Sequence, residues 1–143
     1  MNCARTPYEQ VPMNLYLESS AAAKLLTIEA ETPALERYLD DLAPDKTTLW
    51  ASVLLETELR RLAVRERVDQ TLVTGLLNGV NLLEPSRRLF RDAGLLPGPA
   101  LRSLDALHVM TALTADVDVV LSYDRRLVEA ARSVGLECVS PAA

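Results

Sequence analysis

The stretch VDVVLSYDRRLVEAARSVGLECV, residues 117–139, decides the fold class. Its first part, residues 117–122, is a mostly apolar run of the kind that forms a buried strand. A helical pattern then continues to Val134, and residues 136–139 form a second short, mostly apolar run. A strand, a helix and a strand in succession are typical of parallel strands joined by a crossover helix.

The same alternation of strands and helices is predicted along the rest of the chain. Short apolar runs predict further strands at residues 15–17, 47–50 and 80–83. Apolar spacing and capping residues predict helices at about residues 19–26, 33–42, 52–67, 70–79, 86–93 and 103–115. The sequence therefore predicts an α/β fold, with helices on both faces of a mostly parallel sheet.

The size and composition of the chain fit a single globular domain. It has 143 residues, of which 49% are hydrophobic and 24% charged, so a sizeable core is expected. Its net charge of −5 excludes the simplest kind of nucleic-acid binder, a strongly basic domain. An enzyme that holds phosphate through metal ions stays compatible with this charge.

Residues 1–12 show no clear periodicity and contain Pro7 and Pro12. We expect them to form a flexible N-terminal extension to one domain at residues 13–143, and translation from Met1 or from Met13 stays open. The first residues have no basic start and no long apolar segment, so we expect no signal peptide, and no apolar run of the sequence approaches the roughly 20 residues that a membrane span needs. Cys3 and Cys138 have no nearby partner for a metal site, and two cysteines near opposite ends of the chain do not suggest a disulfide framework, so we expect a reducing cytoplasm.

Two acidic residues follow predicted strands directly. Glu18 follows residues 15–17, and Asp124 follows the strand at residues 117–122 after one intervening residue. Ligands of parallel sheets collect at the carboxyl ends of strands, so the two acids meet if their strands are neighbours. Each acid is also explained by stabilisation of the following helix N-terminus, and both interpretations stay open.

Two further acids lie on helices that are otherwise apolar on the relevant face. Asp105 and His108 are the only titratable residues of LDALHVMTAL, and their spacing places them on one helix face. For His108, the only histidine, a packed core imidazole is favoured over a metal-binding or acid–base role. Glu58 borders an apolar stripe, whereas Glu56 has Arg60 one turn later, so Glu58 is the better inward candidate and Glu56 stays an alternative.

Four converging carboxylates would repel one another unless cations neutralised them. Mg²⁺ and Mn²⁺ are the hard divalent cations that suit oxygen ligands. Such ions make a nucleophile of bound water and clamp phosphate oxygens. A cluster of this kind favours phosphodiester hydrolysis.

At these acids the chain resembles the PIN-domain ribonucleases, most closely the VapC-type toxins of bacterial toxin–antitoxin pairs. The resemblance covers residues 13–141 and is carried, in the family's order, by NLYLESSAAAKLL, SVLLETELRRL, LRSLDALHVMTAL and VVLSYDRRLVEAARSVGLECVSP. It implies a PIN-like three-layer α/β/α sandwich, RNA cleavage that depends on Mg²⁺ or Mn²⁺, inhibition by a VapB-type antitoxin, and a homodimer. By position it implies the metal ligands and catalytic acids Glu18, Glu58, Asp105 and Asp124, with Ser122 near the metal and Ser20 supporting the first acid.

One position departs from the family's pattern. The first acid is ordinarily Asp, in a pattern such as YLDSSA, and here it is Glu18. The extra methylene moves the carboxylate by roughly 1.5 Å, and Mg²⁺ demands near-ideal octahedral geometry. A tolerated variant, a natural loss of activity and a deliberate change to permit production of a toxin all explain it. We hypothesise that Glu18 still faces the site but coordinates metal poorly.

The leading interpretation is a metal-dependent endoribonuclease toxin. The alternative is a catalytically impaired PIN-fold module that binds antitoxin or RNA without cleavage, and Glu18 supports it. A phosphoesterase of small molecules lacks a Gly-rich phosphate loop, and Ser–His–Asp hydrolysis lacks a GxSxG motif. Most arginines are expected to form helix-surface ion pairs, and a minority to contact RNA phosphates at the rim of the site.

Overall fold

The computed structural model describes residues 13–42 and 44–142, so the predicted extension at residues 1–12 lies outside the described residues. Within these ranges the strands are β1 (Met13–Leu17), β2 (Thr47–Ser52), β3 (Val80–Leu83), β4 (Val119–Leu121) and β5 (Cys138–Val139). The helices are α1 (Ser19–Leu26), α2 (Thr32–Asp40), α3 (Leu54–Glu66), α4 (Gln70–Asn78), α5 (Arg87–Gly94), α6 (Ser103–Thr114) and α7 (Arg125–Ser133).

The five strands form one sheet in the order β3-β2-β1-β4-β5, and every neighbouring pair is parallel. The first strand is therefore central, with β2 on one side and β4 on the other. Its last residue, Leu17, is paired with Leu121 of β4. The chain order reverses at this point, which is where open α/β sheets form ligand crevices.

The alternating side chains of β1 pack into two separate helical layers. Leu15 and Leu17 are fully buried among side chains of α1, α2, α3 and α4. Tyr16 is also fully buried but lies on the opposite face, in the cluster formed with α6 and α7. This arrangement confirms the predicted three-layer α/β/α sandwich with a central parallel sheet.

Two predicted strands are shorter in the structure than the sequence indicates. β4 covers Val119–Leu121 rather than residues 117–122, and β5 covers Cys138–Val139 rather than residues 136–139. Near the start of the longer run, the N–H of Asp118 donates to the carbonyl of Asn14 at 2.8 Å, but the N–H of Asn14 donates to the Asp118 side chain at 2.7 Å, so a carboxylate takes the place of one backbone acceptor. The mostly apolar character of the run does not reveal this change.

None of the helices within the described residues is long and apolar enough to cross a membrane. Cys138 is a buried free thiol, whereas Cys3 lies outside the described residues. Burial raises the pKa of the Cys138 thiol, which keeps it in the neutral form.

Candidate active site

The carboxyl ends of β1 and β4 meet through a serine and a glutamate. Glu18 follows β1 directly, and Ser122 follows β4. The Ser122 hydroxyl donates a hydrogen bond of 2.9 Å to Oε2 of Glu18. The pairing of these two strands, on which the predicted meeting of their acids depends, is therefore present.

The Glu18 carboxylate is buried and caps α1. It is 4% exposed, and its Oε2 accepts from the Ser20 N–H at 2.9 Å, from the Ser20 hydroxyl and from the Ser122 hydroxyl. Burial raises the pKa of Glu18, and these hydrogen bonds only partly oppose it. Oε1 of Glu18 has no hydrogen-bond partner among the described residues. Because every fully buried side-chain oxygen of these residues has a partner, Oε1 is in contact with solvent.

Asp124 caps α7 and is tied to the same serine. Its carboxylate accepts from the backbone N–H groups of Arg126 at 3.0 Å and Leu127 at 3.3 Å. Its own N–H donates to the Ser122 hydroxyl at 3.1 Å, so Ser122 connects Asp124 with Glu18. For both acids the capping role is present, and it coexists with a position at the sheet's switch point.

Asp105 lies half-buried in the first turn of α6. Burial raises its pKa, and the negative charge of Asp124 raises it further, which places the two carboxylates close enough to repel each other. The charge of His108 and the backbone and charge of Arg102, the residue before α6, oppose this rise of the Asp105 pKa. A cation between Asp105 and Asp124 would relieve the repulsion.

Glu58, on α3, is held from two sides through one oxygen. Its Oε1 accepts from the Ser19 hydroxyl at 2.6 Å and from Nε2 of His108 at 2.7 Å. Burial alone would raise the pKa of Glu58, but the hydrogen bonds and the charge of His108 together lower it. Glu56 instead forms an ion pair of 2.8 Å with Arg60 on the same helix.

The His108 imidazole joins the sheet to this acid. It is 1% exposed, as expected of a core histidine, but both of its ring nitrogens are hydrogen-bonded. Nδ1 lies 2.6 Å from the hydroxyl of Tyr16, which in turn accepts the backbone N–H of Ser52 at 3.1 Å. Tyr16, Ser19 and Ser52 were not predicted from the sequence to belong to the site.

Three of the four predicted acids line one cleft of about 530 Å³, whereas Glu18 is not part of its lining. Glu18 is connected to the cleft through Ser122 and the amide of Asp124. The cleft also carries three arginines that cap or begin α6 and α7. Its lining residues are Glu58, Arg102, Ser103, Leu104, Asp105, Asp124, Arg125 and Arg126.

The PIN domain family matches residues 15–133, which include every acid described above. Ribonuclease VapC35 of Mycobacterium tuberculosis is 41% identical over 135 residues, covering 89% of this chain and 96% of that protein. Ribonuclease VapC46 of the same organism is 34% identical over 131 residues, covering 89% of this chain and 97% of that protein. The chain belongs to the VapC ribonucleases of the PIN-domain family.

Solved structures agree on the fold. Mycobacterium tuberculosis VapC20, described as a sarcin-ricin loop cleaving toxin, superposes with a TM-score of 0.70 at 15% identity, covering 89% of this chain and 99% of VapC20. A toxin–antitoxin complex from Klebsiella pneumoniae gives a TM-score of 0.65 at 15% identity, covering 89% of this chain and 97% of that chain. At such low identities these likenesses establish the PIN fold alone.

The carboxylates of this PIN domain have the donor chemistry of a site for a hard divalent cation. In both Glu18 and Glu58, the recorded hydrogen bonds fall on a single oxygen and leave the other available. Single-oxygen ligation suits Mg²⁺, which binds through one or two carboxylates and keeps several waters. Among the described residues, no three acids, cysteines or histidines are grouped tightly enough to hold an ion as they stand.

The sequence did not distinguish the three arginines of the cleft from the others, most of which were expected to form surface ion pairs and a minority to contact RNA phosphates at the rim. Arg102, Arg125 and Arg126 make no recorded side-chain ion pair within the described residues. Arg125 and Arg126 follow Asp124, and Arg102 precedes Asp105 by three residues. Their closeness in sequence to two predicted acids is the signal that could have assigned them to the site.

Proposed function

We propose that this VapC-family PIN domain is a toxin that hydrolyses RNA phosphodiester bonds with the help of Mg²⁺ or Mn²⁺. The observation that carries the proposal is the cleft in which Glu58, Asp105 and Asp124 lie together with three arginines. Carboxylates hold metal ions, and metal ions and arginines stabilise the negative charge of a phosphate. The cleft therefore combines the groups that assist phosphodiester hydrolysis. We further propose that residues 13–143 act as one domain in the cytoplasm.

Asp105 and Asp124 are the first candidates to hold the cation, because both line the cleft and the charge of Asp124 raises the pKa of Asp105. Glu58 and Glu18 would add their available oxygens. When bound, the cation supplies a water of lowered pKa and neutralises charge on the phosphate. Through its two hydrogen bonds, Ser122 fixes the position of Glu18 relative to the start of α7.

The arginines of the cleft explain how a chain that is acidic overall would bind the phosphates of RNA. The whole chain has a net charge of −5, but Arg102, Arg125 and Arg126 concentrate positive charge at the rim of the cleft. Guanidinium groups bind phosphate oxygens in a bidentate manner, and these three make no recorded ion pair with an acid of the described residues. Leu104, which is 50% exposed in the same cleft, offers an apolar surface to a ribose or a base.

Glu18 favours a second candidate function. Its Oε2 is satisfied by Ser20 and Ser122, and its carboxylate is buried away from the lining of the cleft. A PIN fold with its first acid withdrawn in this way would bind antitoxin or RNA without cleavage. Cleavage that is absent in this chain but present after Glu18→Asp would support an impaired catalytic site.

We also propose a VapB-type antitoxin as partner and a homodimer as the assembly. The Klebsiella pneumoniae relative of the same fold was solved as a toxin–antitoxin complex. In this chain the turn between α1 and α2 carries Ile28, whose side chain is 94% exposed. An exposed isoleucine beside two amphipathic helices suits the apolar face of an antitoxin helix.

The deciding experiment is cleavage of RNA by the purified chain with Mg²⁺, with Mn²⁺ and with a chelator. We expect cleavage with either metal, none with the chelator, and loss of cleavage in Asp105→Asn. Asp40→Asn is the control, because Asp40 is exposed at the end of α2 and lies outside the cleft. Cleavage that persists with the chelator, or in Asp105→Asn, would refute metal-dependent hydrolysis at this site.

A further inference from the structure

The only histidine of the chain lies at the centre of a chain of buried hydrogen bonds that ends on Glu58. The bonds run from the backbone of Ser52 to the Tyr16 hydroxyl, from there to Nδ1 of His108, and from Nε2 to Glu58. Ser52 and Tyr16 are fully buried and His108 is 1% exposed, so water does not compete for the two bonds of the Tyr16 hydroxyl, whereas the Glu58 side chain is 28% exposed. We call this set of groups the Tyr16–His108 relay.

The direction of each bond in the Tyr16–His108 relay follows from the groups at its two ends. The backbone N–H of Ser52 can only donate, so the oxygen of Tyr16 accepts it at 3.1 Å. The Glu58 carboxylate can only accept, so Nε2 of His108 carries the hydrogen of the bond between them. In a neutral imidazole Nδ1 then accepts the hydroxyl hydrogen of Tyr16, 2.6 Å away.

The hydrogen on Nε2 is directed at one oxygen of Glu58. Nε2 lies 2.7 Å from Oε1, and the Ser19 hydroxyl donates to the same Oε1 at 2.6 Å. Because the Ser19 hydrogen is used on Glu58, the Ser19 oxygen can only accept from Nε2, from which it lies 3.4 Å away. Two donors thus hold Oε1, and Oε2 has no recorded partner among the described residues.

We propose that the Tyr16–His108 relay is a positioning device that fixes the Nε2–H form of His108, holds Glu58 by Oε1 and presents Oε2 to a divalent cation in the cleft. The assignment rests on the proposed metal site for its purpose, whereas the hydrogen-bond directions follow from the donor and acceptor chemistry of a neutral imidazole and its partners. His108 is a positioning residue because it acts on the cation only through Glu58. An imidazole that orients a carboxylate ligand is equivalent to the outer-shell partners that tune metal sites.

A purely structural role for His108 predicts a different outcome from the relay. A histidine that merely fills the core needs neither a fixed tautomer nor a donor aimed at an acid of the cleft. Replacing it with an apolar side chain of similar size would then leave cation binding unchanged in any variant that folds. The relay predicts that cation binding falls even when the fold is retained.

The first test observes the unsubstituted protein directly. Because the chain has a single histidine, a ¹⁵N-labelled sample without a histidine tag gives one pair of imidazole nitrogen signals in a long-range ¹H–¹⁵N correlation spectrum. At pH 8, in the absence of metal, we expect a protonated Nε2 and an unprotonated Nδ1. A hydrogen on Nδ1, or a rapidly averaging mixture of both forms, would overturn the relay.

The second test breaks the relay at its start and measures Mn²⁺ binding by calorimetry. Tyr16→Phe removes the hydroxyl that holds Nδ1 and keeps the ring, so we expect mixed tautomers and Mn²⁺ binding weakened by about 10-fold or more, as for outer-shell partners in general. Tyr38→Phe is the matched control, because Tyr38 is half-buried on α2 and lies outside the cleft. Unchanged Mn²⁺ binding in a folded Tyr16→Phe variant would overturn the proposal.

The third test separates the donor from the bulk of the histidine. The amide of His108→Gln can still donate to Glu58, whereas His108→Met fills the space without a donor. We expect His108→Gln to retain most of the Mn²⁺ affinity and His108→Met to lose it, and equal affinities would contradict the relay. A fixed tautomer and relay-dependent Mn²⁺ binding in a chain that cleaves no RNA would uphold the relay and refute the proposed ribonuclease activity.

Discussion

The Ser122 hydroxyl and the Glu18 carboxylate are joined by a hydrogen bond of 2.9 Å across the carboxyl ends of β4 and β1. The same hydroxyl accepts the N–H of Asp124 at 3.1 Å. Ser122 is fully buried, so one side chain fixes both the first acid and the N-terminus of α7. The positions of Glu18 and of Asp124 therefore both depend on Ser122.

The variant Ser122→Ala should destabilise the fold. It leaves the N–H of Asp124 without its acceptor and removes one donor from a buried carboxylate, which costs about 1–3 kcal/mol. Urea denaturation at neutral pH measures the free energy of unfolding. Ser133→Ala, an exposed serine near the end of α7, should change it by less than about 0.5 kcal/mol. Equal effects of the two variants would show that Ser122 has no special role.

The burial of Glu18 predicts how stability depends on pH. Since burial raises the pKa of Glu18, the folded state binds its proton more tightly than the unfolded state. The stabilisation from this carboxyl is complete below its ordinary pKa of 4.5 and is lost as the pH rises through the higher native pKa. The variant Glu18→Gln keeps an acceptor oxygen and does not titrate, so its stability relative to the parent should increase across this pH range.

Unfolding free energies of the parent and Glu18→Gln, measured from pH 4 to pH 8, test this dependence. Glu56→Gln controls for the loss of a carboxylate, because Glu56 pairs with Arg60 on α3 at the surface. A difference between parent and Glu18→Gln that stays constant with pH would contradict the raised pKa.

The order of strands and helices was predictable because its signals are local. Apolar runs and helical spacing lie within a few residues of each other, and the seven helices and five strands of the described residues follow the predicted order. The order of the strands within the sheet has no such local signal. That β1 pairs with both β2 and β4 depends on packing between distant segments, and no single stretch of sequence encodes it.

The candidate site divides in the same way. The sequence placed Asp105 and His108 on one helix face because their spacing is a helical one. It did not reveal that His108 bonds to Glu58, 50 positions away, and to Tyr16, 92 positions away. These contacts arise where α3 and α6 meet the end of β1, so they depend on tertiary packing.

The replacement Glu18→Asp should strengthen binding of Mn²⁺. The side chain shortens by roughly 1.5 Å and cannot reach Ser20 and Ser122 at their present positions together. Its oxygens then have fewer hydrogen bonds that compete with a cation, and Asp is still a good helix cap. We expect about tenfold tighter binding, equivalent to about 1.4 kcal/mol, by calorimetric titration. Glu56→Asp is the control, and equal affinity of Glu18→Asp and the parent would contradict the hypothesis that Glu18 coordinates metal poorly.

The arginines of the cleft should bind RNA phosphates rather than particular bases. In a background of Asp105→Asn, used to prevent cleavage, Arg126→Ala should weaken binding of several RNA sequences to a similar extent. It should also reduce the slope of log affinity against log salt concentration by about 1, because one fewer phosphate contact releases one fewer counterion. Fluorescence anisotropy over a salt series measures both quantities. Arg61, an exposed arginine of α3 outside the cleft, gives the control Arg61→Ala. A phosphate bound in the cleft contacts Arg126 and not Arg61. If Arg61→Ala and Arg126→Ala reduced the salt dependence equally, RNA would bind through the overall surface charge and not through the cleft.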